Sequence, residues 1–157
     1  MKGDNKVIEY LNQVLTIELT SINQYFLHAR MYKNWGLHEL NEKSYKKSIK
    51  DMKQADELIE RVLLLEGLPN LQKLNRLRIG EHTEEMIQCD VDQIEEQLEL
   101  VKEAIAYCES VRDYVSREIL EEILEYEEEY LDWLESQQYL IANTGIQNYL
   151  QSMIGED

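Results

Sequence analysis

Apolar side chains recur every three or four residues along four long stretches of the chain, the spacing of amphipathic helices. After Asp4, a good N-cap, the residues Val7, Leu11, Leu15, Glu18, Ile22, Tyr25 and Ala29 share one stripe. They predict a first helix running to about Asn34 and stopping at Gly36. A second helix is expected over about Leu40 to Leu65, ended by Gly67, Leu68 and Pro69. The third, about Thr83 to Cys108, carries Ile87, Val91, Ile94, Leu98, Val101, Ile105 and Cys108. The fourth, about Tyr114 to Ala142, carries Leu120, Ile123, Glu127, Tyr130, Leu134 and Ile141. After Gly145 a short fifth helix is expected over Ile146 to Met153.

Connection lengths then set the topology. A few residues join the first helix to the second and the third to the fourth, so each pair forms an antiparallel hairpin. Gly67 to Glu81 lie between the hairpins, about fifteen residues that reach about 50 Å when extended. A helix of about 26 residues is about 39 Å long, so the segment can traverse the whole bundle. The expected fold is all-α: a ferritin-like four-helix bundle with one long crossover and a short C-terminal fifth helix, in a single domain over residues 1–157.

Composition narrows the partners. The 32 acidic residues outnumber the 16 lysines and arginines, for a net charge of -16. Such a surface repels nucleic-acid phosphates and anionic lipid, so neither nucleic acid nor membrane is expected as a partner. The only cysteines, Cys89 and Cys108, fall in one predicted helix about 28 Å apart, too far to bridge, and point to a reducing cytosol. The N-terminal residues MKGDNKVIEYLNQ hold no apolar signal core, and no apolar run approaches membrane-spanning length.

Several polar residues sit inside the apolar stripes. Ferritin-like di-iron sites take one Glu from each of two helices and a Glu-x-x-His pair from each of the other two, because positions i and i+3 share a helix face. Glu18 and Glu127 occupy such stripes on the first and fourth helices. Asp51 and Gln54 share one with Leu58, Val62 and Leu65, Tyr130 follows Glu127 by three, and the third helix offers only Ile94. His28, His38 and His82 never follow a Glu by three. The set Glu18, Asp51, Gln54, Ile94, Glu127 and Tyr130 therefore holds three carboxylates and no imidazole, poor for two irons. With Gln54 and Tyr130 as donors, a metal-free polar network around Glu18 and Glu127 is expected. Met52, next to Asp51, projects about 100° away, on a second stripe with Tyr45, Ile49, Asp56 and Ile59. A second stripe implies a second packing partner. On its own a Met there is ordinarily packing, although a thioether is also an axial haem ligand.

The segments INQYFLHARMYKNWG (22–36), IERVLLLEGLPNL (59–71), DYVSR (113–117), DWLE (132–135) and IQNYLQ (146–151) resemble bacterioferritin, and the likeness spans essentially the whole chain. The resemblance implies a cytoplasmic cage of twenty-four subunits that stores iron as a ferric mineral, with haem b on the twofold axis between paired subunits. It places Met52 as the axial ligand to the haem iron. Leu19, Ile22, Asn23, Phe26, Tyr45, Ile49, Lys53, Asp56 and Ile59 fall on the surrounding pocket. It places Leu68, Glu81 and Glu85 where a bacterioferritin-associated ferredoxin docks for iron release.

The family's ferroxidase ligands, four Glu and two His, fall on the same six positions reached above. Only Glu18 and Glu127 keep the family residue, with Asp51 a shortened substitute. Lys46 and Lys50 stand at inner-wall positions that hold His and Asp in some members. The chain is therefore similar to the haem-binding subunit type, which co-assembles with a ferroxidase-competent subunit. The competing expectation is an active ferroxidase with an unorthodox site, Glu18, Asp51 and Glu127 holding one metal.

Overall fold

All five expected helices are present in the computed structural model, which describes residues 1–155: α1 (Asn5–Asn34), α2 (His38–Leu64), α3 (Thr83–Ser110), α4 (Tyr114–Thr144) and α5 (Ile146–Ser152). Asp4 caps α1 by accepting from the amides of Lys6 at 2.8 Å and Val7 at 3.1 Å. At the other end Gly36 takes a positive φ of 78°, and the amides of Gly36 and Leu37 close back onto the carbonyls of Lys33 and Tyr32. The third and fourth helices each run two residues past the expected Cys108 and Ala142, because their last turns are polar and leave no apolar period to read.

The end of α2 differs from expectation in its chemistry. Glu66, not Gly67, takes the left-handed conformation, with φ 64°. The Gly67 amide then reaches the Val62 carbonyl at 2.9 Å. Gly67 answers a different need: a Cβ there would lie 2.8 Å from Ile8 Cγ2 and 3.0 Å from Val62 Cγ1. Glycine is required for close approach to α1, while an ordinary residue absorbs the backbone turn.

α1 packs along α2, α3 along α4, and α1 against α3 across the bundle. The apolar interior is in two parts. One cluster gathers Val7, Leu11, Val14, Leu15, Leu58, Val62, Val101, Cys108 and Leu120. The other gathers Tyr25, Tyr32, Leu40, Met86, Ile87, Val91, Ile94, Tyr130 and Leu134. Between them along each helix lie buried polar residues: Glu18 to Gln24 on α1, Ser44 to Gln54 on α2, Gln97 on α3 and Glu127 on α4. The bundle is thus two apolar cores joined through a polar middle layer.

The crossover between α2 and α3 is held by side chains of α1, taken in order. Asn12 donates to the Leu68 carbonyl and accepts from the Asn70 amide. Thr20 accepts from the Asn75 amide, Gln24 from that of Arg78, and the His28 ring nitrogen Nε2 from that of Gly80. The chain therefore climbs α1 from its first turns to its last, which delivers α3 to the opposite end of the bundle. Leu68, Leu71, Leu74 and Leu77 remain exposed along this path, so polar contacts and not apolar burial set its course. At its end a Cβ on Gly80 would lie 2.5 Å from the Met86 amide nitrogen.

Gly80→Ala should therefore lower stability by about 2 kcal/mol, the range of overpacking in a tight interior. A thermal midpoint equal to wild type would show that the crossover can move away from α3 freely.

Candidate metal centre

Glu18 of α1, Asp51 of α2 and Glu127 of α4 converge in the polar layer. One oxygen of each lies within 4.8 Å of the other two, and all three side chains are buried. Gln54 stands beside them. Turned nitrogen-inward, as its neighbours require, its amide donates to Glu18 at 2.9 and 3.0 Å and to Glu127 Oε1 at 3.2 Å. Ile94 is fully buried and packs within the second apolar cluster, with no atom to donate or coordinate. Tyr130 is buried too, but its hydroxyl has no hydrogen-bond partner, which corrects the expectation that it donates into the network. The helices thus bring Glu18, Asp51, Gln54 and Glu127 together, Tyr130 contributes a ring face to Lys47 instead of a hydroxyl, and Ile94 lies in the apolar cluster.

Sequence reasoning missed the central residue. Lys47 lies one turn before Asp51 on the same α2 stripe and is only 1% exposed. Its Nζ donates to Asp51 Oδ1 at 2.5 Å and to Glu127 Oε1 at 3.0 Å. The rings of Tyr25, Tyr130 and Tyr126 surround it at 4.8, 5.2 and 5.4 Å from their centroids. The i−4 spacing to Asp51 was the available signal; it is easily passed over because lysine is almost never fully buried unless paired. Two further residues join the layer. Gln97, three after Ile94, donates to Glu18 Oε1, and Ser21 donates to Asp51 Oδ2 at 2.5 Å.

The electrostatics follow from burial. Desolvation pushes the Glu18 carboxyl well above the usual range, and the nearby charges of Asp51 and Glu127 push it further. Glu127 is raised to about 8, chiefly by desolvation, with Lys47 opposing the rise. Desolvation works against the Lys47 charge, but Asp51 and Glu127 outweigh it and raise the ammonium's pKa. The layer thus holds one firmly protonated cation with carboxyls packed around it.

The outer side of α2 is different. Met52 is 53% exposed, and Phe26 and Tyr45 are exposed as well. Leu19, Ile22, Ile49 and Ile59 are half-buried, and Asn23, Lys53 and Asp56 are exposed. Arg30 lies 5.2 and 5.1 Å from the ring centres of Phe26 and Tyr45. Lys46 and Lys50 are exposed; Lys46 pairs with Glu42, and Lys50 lies 5.2 Å from the Tyr126 ring centre. Leu68, Glu81 and Glu85 are also exposed. Among the described residues, no helix is long and apolar enough to cross a membrane.

The ferritin-like domain model matches residues 8–143. A bacterioferritin of Rhodobacter capsulatus is 47% identical over 149 residues, covering 95% of this chain and 92% of that protein. A bacterioferritin of Brucella melitensis is 41% identical over 151 residues, covering 96% and 94%. One of Mycobacterium tuberculosis is 42% identical over 149 residues, covering 95% and 94%.

Two substitutions separate the roles inside the layer. Tyr130→Phe removes an unpartnered buried hydroxyl and should leave stability unchanged or raise it by up to about 1 kcal/mol. Gln54→Leu leaves Glu18 and Glu127 short of a donor and should cost about 2 kcal/mol. Urea unfolding of both variants checks the contrast.

Proposed function

The chain belongs to the bacterioferritin family of ferritin-like proteins, and on that premise we propose that it is an iron-storage cage subunit that holds haem b and leaves iron oxidation to another subunit. Met52 carries this reading. The residue is 53% exposed on the outer side of α2, where Phe26 of α1 and Tyr45 of α2 are also exposed and bring their ring centres to 6.5 Å of each other. A soft sulfur donor among apolar and aromatic side chains suits one half of a porphyrin site. A second copy of the face would supply the other half across a twofold axis.

The residues then divide the work. Met52 offers a sulfur lone pair to the haem iron. Leu19, Ile22, Phe26, Tyr45, Ile49 and Ile59 exclude water from the porphyrin faces, and Asn23, Lys53 and Asp56 form a polar rim. Haem, when bound, supplies a redox-active iron for passing electrons to the stored mineral, the substrate of release. Exposed Leu68, Glu81 and Glu85 are the proposed contacts for the ferredoxin that delivers those electrons. The setting is the cytoplasm.

The interior does not suit a di-iron centre. Ile94 cannot coordinate, Gln54 is a neutral amide, and Tyr130 turns a ring face to a buried ammonium. Oxidation of Fe(II) is therefore assigned to a ferroxidase-competent subunit in a mixed cage. The convergence of Glu18, Asp51 and Glu127 within 4.8 Å favours a second reading, an unorthodox single-metal ferroxidase. Metal content per subunit and the kinetics of Glu127→Ala separate the two.

Replacing Met52 with Leu should abolish haem binding, read by the Soret band, while the assembly elutes unchanged from a sizing column. Unchanged haem content removes Met52 as the ligand. The chain purified alone should oxidise Fe(II) barely faster than buffer, and rapid oxidation by it refutes the proposed role.

A further inference from the structure

The most unusual group in the interior is an ammonium with no path to water. Lys47 reaches the polar layer from α2, and its side chain has no exposed surface. Asp51 and Glu127 lie 2.5 and 3.0 Å from Nζ, and three tyrosine rings close the remaining sides. Glu18 completes the group of three carboxyls that share one small volume. Buried anions at such separations repel strongly in a low dielectric unless a cation stands among them. In this chain the cation is covalently part of α2.

We propose that Lys47 is a resident cation occupying the place of a metal ion, so that the carboxyl cluster folds around an ammonium and is closed to divalent cations. The arrangement explains why Glu18 and Glu127 persist beside Gln54, Ile94 and Tyr130, which make a poor metal shell. Asp51 and Glu127 bond the amine directly, and Glu18 is tied to Glu127 through the Gln54 amide. The interior of this subunit consequently neither needs nor accepts a metal to be stable. The ring faces of Tyr25, Tyr126 and Tyr130 add cation–π stabilisation that a hard divalent ion, which seeks oxygen or nitrogen donors, would not replace.

Removing the amine while keeping the carboxyls should reopen the cluster. Lys47→Ala leaves Glu18, Asp51, Glu127 and a cavity the length of the lost side chain. This inference rests on the view that the wild-type centre cannot hold two irons, and metal titration tests it apart from iron oxidation. The purified assembly is titrated with Co(II), read by its visible absorption and by metal retained after gel filtration, and unfolded thermally with EDTA or with Zn(II).

Wild type should retain no Co(II) that Glu127→Gln abolishes, and its midpoint should be the same with EDTA as with Zn(II). Lys47→Ala should melt about 10 °C lower in EDTA, recover with Zn(II), and bind Co(II) at least about tenfold more tightly than wild type. The gain should vanish in the Lys47→Ala/Glu127→Gln double variant. Cluster-bound Co(II) in the wild type overturns the proposal, as does a Lys47→Ala protein that keeps the wild-type midpoint or gains no Co(II). If Lys47→Ala does not assemble, the wild-type comparison with Glu127→Gln decides alone. Fe(II) oxidation by the wild type would sink the proposed function, whereas a Lys47→Ala protein without Co(II) would sink only the role given to Lys47.

Discussion

A buried lysine among carboxyls governs the middle of this bundle. An isolated ammonium inside a protein costs several kcal/mol to desolvate, and an isolated carboxylate costs a similar amount. Neither Lys47 nor its neighbours could sit where they do alone. Together they form a layer in which Asp51 and Glu127 bond the amine, Gln54 bonds Glu18 and Glu127, and Gln97 bonds Glu18. The layer draws on all four long helices. Their relative register is therefore tied to hydrogen-bond geometry as well as to apolar packing, and the two hydrophobic clusters on either side must meet it at a fixed height.

That geometry makes α2 a helix with two opposed duties. Successive residues on a helix point about 100° apart, so Asp51 turned inward forces Met52 outward. Lys47, Asp51 and Gln54 line the interior, while Tyr45, Ile49, Met52 and Ile59 share a face that stays partly open. Any shift of α2 that repacked the polar layer would also re-aim the methionine. The rigid interior thus positions the proposed haem ligand through the helix that both share.

The crossover obeys the same economy of polar groups. A segment without helix or strand must find partners for its amides, and α1 offers them at Asn12, Thr20, Gln24 and His28. Gln24 and His28 are themselves anchored by Asp90 of α3, at 2.9 and 3.0 Å. Buried polar residues on α1 therefore face two tasks: those near Glu18 complete the middle layer, and those toward the C-terminus carry the long connection.

Apolar periodicity and breaker residues were sufficient for the helices, their order and the long connection, because helix formation and hairpin length are local properties. The six positions around Glu18 and Glu127 were legible for the same reason, since residues three apart share a face. Spacing could not tell which of those positions would bond. Tyr130 presents its ring where its spacing predicts a donating hydroxyl, while Gln97 and Ser21 enter from helices where they read as ordinary polar residues. Lys47 was hidden most deeply. A lysine next to other lysines reads as solvated surface, and only the approach of three helices supplies the carboxyls and rings that make its burial stable. One-dimensional pattern fixes which way a side chain leaves its helix; what meets it there is decided in three dimensions, because the energy of a buried charge resides in its neighbours.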